Sequence, residues 1–368
     1  MILTKEDALV CAKAFEDYFG NFDRIDEYMR DQKLNSLSEI PTSLFPPEDD
    51  LFSDFSMHPK DMDFEVVEIP NETWETLLAI TSSHVNIAPV GRNLKVAVRE
   101  KNTGKFVGFI RLGSPVINCK PRNEMLGQVF TQDPDRARRF NDSSMMGFVI
   151  VPSQPFGYNY LGGKLLAAIC TSHEVRRMVN KKYNMNLCLF ETTSLYGSSK
   201  TVSQYDGMKP YIRYKGLTES DFLPMMHGKA YSDLKEFVES KVGKLVDEET
   251  SSKKLKTSMK IISITKASLK SDKDALSAFN DTIEKAKKLT EQKRYYISNY
   301  GFKNATDYIN CKTDKLIEDE SFDKYNLENI IAWWKNKATN RYETLNTEGR
   351  LRTELEVWTN NNNIDIIR

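Results

Sequence analysis

The sequence predicts an α/β protein of the α+β kind, in which helices flank a mixed central sheet. Three observations support this fold class. Strand-like and helix-like segments alternate between residues 64 and 230, as they do in layered α/β domains. Residues 1–63 begin with apolar side chains at helical spacings, and residues 231–368 are rich in lysine and in helical patterns. We therefore expect an N-terminal helical extension with an acidic linker over residues 1–63, a sheet domain over 64–230, and a mainly α-helical C-terminal domain over 231–368.

The sequence predicts a helix, a linker, a strand and a second helix, in that order, over residues 1–80. Residues from about 4 to 30 predict one or two amphipathic helices. The acidic, Pro-containing stretch from residue 36 to 63 predicts a loop or linker. A strand is predicted over residues 64–69, followed by a helix over 72–80 with Asn71 as its cap.

The centre of the sheet domain is a hairpin followed by a strand, a turn and a helix. The hairpin strands are predicted over residues 94–100 and 106–112, joined by a Gly-containing turn. A long apolar strand follows over 144–151, then a Gly-rich turn, and then a single helix over about 160–182.

The rest of the chain predicts two more strands and two long helices. Short apolar runs indicate strands over residues 187–190 and 211–214, and helical spacings indicate helices over 275–296 and 327–358. The pair Trp333-Trp334 is expected to anchor the core of the C-terminal helical domain, although base stacking is an alternative.

Charge and cysteine content limit the functions that the chain can have. The 368 residues include 52 basic and 52 acidic side chains, so attraction of nucleic acid has to come from local patches. The five cysteines are scattered and odd in number, which is typical of reduced thiols in a cytoplasmic protein. No Cys-x-x-Cys or His-x-x-x-His spacing indicates a metal site. Neither a signal peptide nor an apolar run of about 18 residues is found, so we expect neither secretion nor a membrane span.

The turn between the long strand and the next helix carries the clearest chemical signal. The first turn of a helix has amide N–H groups without intrahelical partners and the positive end of the helix dipole, and both favour phosphate. Gly157, Gly162 and Gly163 would let a pyrophosphate approach the main chain, and Lys164 would add positive charge. The alternative is that these glycines only permit close packing of the helix on the sheet.

The order of elements over about residues 64–218 resembles the GNAT acyltransferase superfamily. In that superfamily two central strands splay apart, and acyl-CoA lies in the gap with its pyrophosphate on a helix N-terminus. The turn matches the usual pattern at Gln154 and Gly157, but Asn159 replaces its final small residue. The resemblance implies acyl-CoA, such as acetyl-CoA, as donor. It assigns donor binding to Val149, Val151, Gln154, Gly157, Asn159, Gly162, Gly163 and Lys164.

A divergent branch, the Druantia-A-like and Mom-like proteins of phages and bacterial defence loci, is more similar still. The likeness rests on His84 ahead of Pro89-Val-Gly91, on Leu161-Gly-Gly-Lys164, on Glu191-Thr192 and on Gly216-Leu-Thr218. Mom-like proteins modify adenine in DNA, so the resemblance implies a DNA base as acceptor.

Four side chains are the candidate catalytic residues. His84 is of the type that titrates near neutral pH and could act as a general base. Glu191 follows an apolar strand and should face the cleft, where partial burial would raise its pKa toward that of a base. Tyr205, with Asp206 beside it, occupies the place where acyltransferases of this type keep a tyrosine that protonates the leaving thiolate. The alternatives are a loop histidine, a strand-end carboxylate and a core tyrosine whose polar groups are all satisfied.

Two basic clusters could bind a polyanion near the cleft. They comprise Arg136, Arg138 and Arg139 before the long strand, and Arg176 and Arg177 in the predicted long helix. Cations of the second cluster could instead complement a helix dipole. The leading expectation is transfer of an acyl-derived group from acyl-CoA to an amine on a DNA base. The alternatives are an acyltransferase acting on a protein or small metabolite, and a non-catalytic binding or structural protein of phage type that keeps the fold.

Overall fold

The chain divides into two units, each built from segments that are far apart in the sequence. The computed structural model describes residues 2–20, 30, 33–34, 36–37, 47–84, 91–116, 118–127, 133–194, 203–218, 226, 228–247, 253–290, 293–359 and 364. The helical unit comprises Met1–Tyr28, Leu195–Thr201 and Thr218–Lys293, and the sheet unit comprises Met29–Ser194, Val202–Leu217 and Arg294–Arg368. This division differs from the expected boundaries at residues 63 and 230, because residues 29–63 and 294–368 belong with the sheet, and the first helix belongs with residues 218–293.

The sheet unit is organised around seven strands. They are β1 (Phe64–Val67), β2 (Asn93–Glu100), β3 (Phe106–Gly113), β4 (Ser144–Pro152), β5 (Leu189–Thr193), β6 (Arg213–Leu217) and β7 (Arg294–Ser298). Their order across the sheet is β1-β2-β3-β4-β5-β7-β6. All neighbouring strands are antiparallel except β4 and β5, which are parallel. The expected mixed α/β sheet is therefore confirmed.

Eight helices belong to the described part of the sheet unit. They are α2 (Asn71–Thr81), α3 (Lys120–Leu126), α4 (Pro134–Asn141), α5 (Phe156–Tyr160), α6 (Gly162–Ile169), α7 (His173–Tyr183), α11 (Ala305–Ile309) and α12 (Leu327–Thr347). Helix α2 covers one face of the sheet, where Trp74 Nε1 donates to Val96 O at 3.0 Å. Helix α6 packs closely against β3, since a Cβ at Gly108 would lie 2.5 Å from Leu166 Cδ1. The cap predicted at Asn71 is wrong, because Pro70 occupies the cap position and gives no side-chain hydrogen bond.

The single helix predicted over residues 160–182 is wrong, because the chain breaks twice in this stretch. Leu161 has the left-handed conformation with φ 55°, which ends α5 and precedes α6. Ser172 then caps α7 by accepting a hydrogen bond from the Val175 N–H at 3.1 Å. Apolar spacing continues across both breaks, so periodicity alone did not reveal them.

Both long helices predicted near the C-terminus are shorter than expected. The first is α10 (Lys273–Thr290), and residues 294–298 form β7 instead of more helix. The second, α12, is followed by Gly349 with φ +63°, a conformation that favours glycine and ends helices. The segment after it extends back to the sheet, where Glu356 N donates to Gln154 O at 2.9 Å.

The stretch predicted as an acidic linker is partly core. Its described residues 47–63 contain two short 3-10 helices, Pro47–Asp50 and Pro59–Asp61. Phe52 and Phe55 are buried, and the Phe52 ring meets that of Phe156 at 5.7 Å. The aromatic residues therefore decide the packing of this stretch, while its acidic residues stay in solvent.

The helical unit contains α1 (Lys5–Gly20), α8 (Gly228–Val242), α9 (Lys253–Ser268) and α10. Its core is apolar and includes Phe15, Phe279 and Ile283. Helix α1 contributes Phe15, whose ring meets that of Phe279 edge-on at 5.5 Å. The predicted N-terminal amphipathic helix is thus confirmed for its described residues. No described helix of the chain has the length and apolar character needed to cross a membrane.

Candidate functional site

The two parallel strands of the sheet pair along only part of their length. The ladder between β4 and β5 runs from Ser144 opposite Leu189 to Gly147 opposite Thr192. Residues 149–152 of β4 pair with β3 on the other side and with no residue of β5. The register shifts opposite Phe148, which has no partner on β3. Past Gly147, β4 therefore presents an edge toward β5 that the described strands leave uncovered.

The turn that follows this edge is built from two short helices. Pro155 is the cap residue of α5 and gives no side-chain hydrogen bond, but Gln154 Oε1 accepts the Tyr158 N–H at 3.2 Å. The N–H groups of Lys164 and Leu165 both bond to Leu161 O, at 2.9 and 3.3 Å. The side chain of Gln154 thus stabilises α5, which is a structural use of the residue that matched the donor-binding pattern.

The three glycines of the turn have different surroundings. A Cβ at Gly157 would lie 2.5 Å from Gln154 Nε2, and one at Gly162 would lie 2.5 Å from Phe156 Cδ1 in the core. A Cβ at Gly163 would instead meet Gln204 Oε1, the end of a flexible side chain, at 2.8 Å. Gly162 is therefore required by packing, whereas Gly163 lies under a side chain that can move aside.

Asn159 and Lys164 hold neighbouring segments in place. The buried Asn159 amide donates to Arg352 O at 2.7 Å and accepts the Arg352 N–H at 3.2 Å. Lys164 Nζ donates to the carbonyls of Gln204 at 3.0 Å and Asp206 at 2.7 Å. Burial lowers the pKa of Lys164, and the nearby charge of Lys337 acts in the same direction. Both residues lie beside the turn, and their role in donor binding stays a prediction.

Helix α12 and the segment after it place basic side chains beside the turn, which was not expected from the sequence. Trp334 Nε1 donates to Tyr160 O at 2.8 Å and fixes the helix against α5. About two turns further along α12, Arg341 Nε donates to Tyr158 O at 3.3 Å. The guanidinium groups of Arg341 and Arg352 lie 4.9 and 4.2 Å from the centre of the Tyr158 ring. The spacing of Trp334, Lys337 and Arg341 on one side of a helix was the available signal, but α12 was assigned to a separate domain.

Tyr205 lies where the ladder between β4 and β5 ends. Its side chain lies beside Thr192, whose hydroxyl donates to Gly147 O at 3.1 Å. The Tyr205 ring meets that of Tyr296 edge-on at 5.3 Å. Burial raises the pKa of Tyr205 to about 12, so its hydroxyl keeps its proton at neutral pH.

Asp206 is held in an ion pair. Arg294 Nη2 lies 3.2 Å from its carboxylate, and the Tyr296 hydroxyl donates to it at 3.1 Å. Although burial opposes the shift, the Ser203 N–H, Tyr296 and Arg294 together lower the pKa of Asp206. This carboxylate therefore orders the loop that carries Tyr205.

Glu191 lies on the opposite face of the sheet from Tyr205, because side chains alternate along a strand. It is fully buried, 3.2 Å from Arg122 Nη1, and accepts the Tyr295 hydroxyl proton in a 2.8 Å hydrogen bond. Burial raises its pKa, while Arg122 and Tyr295 oppose that shift. The direction of the pKa shift is the one expected from the sequence. The expected position facing a cleft is wrong, because Glu191 lies within β5 and Tyr295 of β7, a strand that was not predicted, covers its carboxylate.

His84 is exposed just after α2. Its backbone N–H donates to Ser82 Oγ at 3.1 Å, and its carbonyl accepts from the same hydroxyl at 3.0 Å. Residues 85–90 of its motif, including Pro89, lie outside the described residues. Its proposed role as a base stays a prediction.

The predicted basic clusters lie away from the turn. Helix α4 precedes β4, and Arg176 Nε donates at 2.6 Å to the carbonyl of Leu187, just before β5. The turn follows the other end of β4, whose nine residues span about 26 Å. Arg139 binds Asp314 at 2.8 Å and packs over Tyr308 at 4.6 Å. The remaining side chains are Arg136 paired with Asp133, Arg177 paired with Glu174, and Arg138, which is exposed.

Comparison with known proteins identifies the family to which the chain belongs. The sequence profile of Druantia protein DruA matches residues 26–209, a segment that contains β1–β5, the turn and Tyr205. Druantia protein DruA from Escherichia coli (strain UMEA 4076-1) is 27% identical over 168 residues, which cover 41% of this chain and 40% of that protein. The chain thus spans less than half the length of that relative, and no solved structure matches it. Because the profile match extends over half of the 368 residues, the chain belongs to the family of Druantia protein DruA.

Proposed function

We propose that this protein is a GNAT-like acyltransferase that moves an acyl-derived group from acyl-CoA to an amine, with a DNA base as the favoured acceptor. The observation that carries the proposal is the partial ladder between β4 and β5, because the described strands leave the end of β4 uncovered and the N-terminus of α6 follows it after one short helix. That arrangement suits a long anionic donor, because its amide-bearing arm can bond to the strand edge and its phosphates to the helix end.

The charges around the turn support the same donor. Gly163 is the turn glycine with a movable neighbour, and Lys164, Lys337 and Arg341 are close to it or to α5. When bound, acyl-CoA would supply the thioester whose acyl group is transferred. The residues of this chain would hold its pyrophosphate at the α6 N-terminus and keep Gln204 displaced from Gly163.

The placement of Tyr205 supports its role as the proton donor. It lies beside Thr192 at the last rung of the ladder between β4 and β5, and its raised pKa keeps the hydroxyl protonated. His84 suits the role of base better than Glu191 does, because His84 is exposed and Glu191 is enclosed by Arg122 and Tyr295. A nucleobase as acceptor rests on the resemblance to Mom-like proteins, and a base has to leave the duplex to be reached.

The donor is tested by calorimetric titration of the protein with acetyl-CoA. Gly163→Glu should abolish the heat of binding, because it places bulk and negative charge where the pyrophosphate would lie. Lys182→Glu, which introduces a larger charge change at the exposed end of α7, is the matched control and should bind as the unaltered protein does. Equal affinity in all three proteins would remove the turn from the donor site.

The acceptor is tested by mass analysis of nucleosides from DNA incubated with the protein and acetyl-CoA. A new adduct that disappears with His84→Ala is expected. Donor binding with no adduct would point to an acceptor on a protein or small metabolite.

A second function, binding without catalysis, is favoured by one observation. The loop around Gln204 covers Gly163 and occupies the Lys164 amine with two carbonyl oxygens. If this loop never opens, the fold is kept and the donor is excluded. Absence of acetyl-CoA binding by the unaltered protein would support this second function.

A further inference from the structure

A cavity of about 190 Å³ lies on the sheet, away from the turn. Strands β5, β6 and β7 and helices α3 and α11 enclose it. Its wall is apolar and includes Met125, Leu189, Ile297, Phe302 and Ile309. Most of the lining comes from residues 210–309, beyond the segment matched by the family profile.

Three basic side chains line this cavity, and the described acidic residues form no ion pair with them. Arg213 and Lys215 come from edge strand β6, and Lys303 comes from the loop before α11. All three side chains are exposed, and none forms an ion pair with an acidic residue in the described ranges. The acidic residue of α11, Asp307, is already paired with Lys312 at 3.2 Å. A cleft with charges of one sign at its rim attracts anions.

The cavity also offers neutral hydrogen-bonding groups. Thr306, Ser298 and Asn299 line it. The Asn299 amide donates to Phe302 O at 2.8 Å, which fixes the loop that carries Lys303. The Thr306 hydroxyl makes no hydrogen bond with any described residue and so can donate to a ligand.

We propose that this cavity binds a nucleotide unit, with its phosphate at Arg213, Lys215 and Lys303 and its sugar or base against the apolar wall. Three cations suit a phosphate better than a single carboxylate, because a phosphate carries more charge and more acceptor oxygens. The apolar wall favours an anion that also has an uncharged part. At about 190 Å³ the cavity is smaller than the sites that enclose whole drug-sized ligands, so the rest of the nucleotide extends into solvent.

The nucleotide could be free or part of a strand, and the chemistry recognised is the same. Because β6 is an edge strand, a longer chain of nucleotides can continue along it past Arg213 and Lys215. The proposal does not depend on acyl transfer, since the cavity and the turn share no lining residue.

The test measures the affinity of the full chain for three probes, namely fluorescein-labelled oligothymidylate, thymidine monophosphate and inorganic phosphate. Anisotropy reports the first probe, and competition reports the other two. We expect Lys303→Glu, Arg213→Glu and Lys215→Glu each to weaken oligothymidylate binding about tenfold or more and to reduce its salt dependence. Lys270→Glu, an exposed lysine of α9–α10 that does not line the cavity, should leave affinity unchanged.

The outcomes distinguish a free nucleotide from a nucleic-acid strand, and they distinguish failure of this proposal from failure of the proposed acyl transfer. Competition by thymidine monophosphate identifies a free nucleotide as sufficient, whereas binding of the oligonucleotide alone identifies a strand. Failure of every probe to bind, or equal affinity in all four variants, would overturn the proposal. Gly163→Glu should not change nucleotide affinity, so loss of donor binding and loss of nucleotide binding can be told apart.

Discussion

Gly162 and Gly163 are adjacent in the turn, yet they should respond differently to the same substitution. At Gly162 an added Cβ would lie 2.5 Å from the buried Phe156 ring, and it would also lie 3.0 Å from Pro152 Cβ. We expect Gly162→Ala to lower the free energy of unfolding by about 1–3 kcal/mol, because overpacking forces the core to shift. Gly163→Ala should have a much smaller effect, since only the Gln204 side chain has to move. Urea denaturation of both variants checks this, and equal losses would show that the turn packs differently.

The buried His173 should make stability depend on pH. Its Nε2 is 2.9 Å from Phe322 O, and the two rings lie 4.0 Å apart. Burial lowers the pKa of His173 below 6.5, although the bond to Phe322 O opposes that shift. The unfolded chain therefore binds a proton that the folded chain does not, and stability is full above about pH 6.5 and falls as the pH drops below it.

The measurement is the free energy of unfolding at pH 7.5 and 5.5, for the unaltered protein and for His173→Gln. The glutamine keeps a donor for Phe322 O but does not titrate. The unaltered protein should lose up to about 1.4 kcal/mol more than the variant between pH 7.5 and 5.5. Parallel pH profiles would show that His173 protonates without cost in the folded state.

Helix α12 is attached to the turn by hydrogen bonds from Trp334 and Arg341, of which the bond from Trp334 is the shorter and is buried. We expect Trp334→Phe to lower the free energy of unfolding by about 1–3 kcal/mol, because the Tyr160 carbonyl would be buried without that donor. Trp333→Phe is the control. Trp333 is only partly buried, and its ring contacts Tyr211 at 4.9 Å, so the smaller ring should cost less. Chemical denaturation compares the two, and an equal effect would show that ring size outweighs the hydrogen bond.

Elements with strong local signals were predictable, whereas those fixed by distant partners were not. The hairpin β2–β3 and the strand β4 follow from alternating apolar residues and a Gly-containing turn. The two breaks before α6 and α7 depend on one left-handed residue and one serine cap, which leave the apolar period intact. Strand β7 follows a long helix, and only its place between β5 and β6 makes five residues a strand.

At the scale of the molecule, the candidate site depends on residues that the sequence order separates. The turn could be located from the sequence because residues 154–164 are continuous, and Tyr205 was assigned through the resemblance to acyltransferases. The basic side chains of α12, more than 170 residues after the turn begins, were not, because nothing local connects them to it. The buried partner of Glu191, Tyr295, was missed for the same reason.

A chain that ends at residue 230 should therefore fail to form the native sheet, although it contains both regions expected to precede a separate C-terminal domain. It would lack β7, leaving β6 without its neighbour and β5 with an exposed edge. It would also lose Tyr295 beside the Arg122–Glu191 pair, which would then be open to water, together with Trp334 on α5. We expect near-ultraviolet circular dichroism without tertiary signal and a non-cooperative urea transition, in contrast to the full chain. A cooperative transition in the shortened chain would mean that the first five strands fold without β7. The C-terminal residues would then add to a sheet that is stable without them.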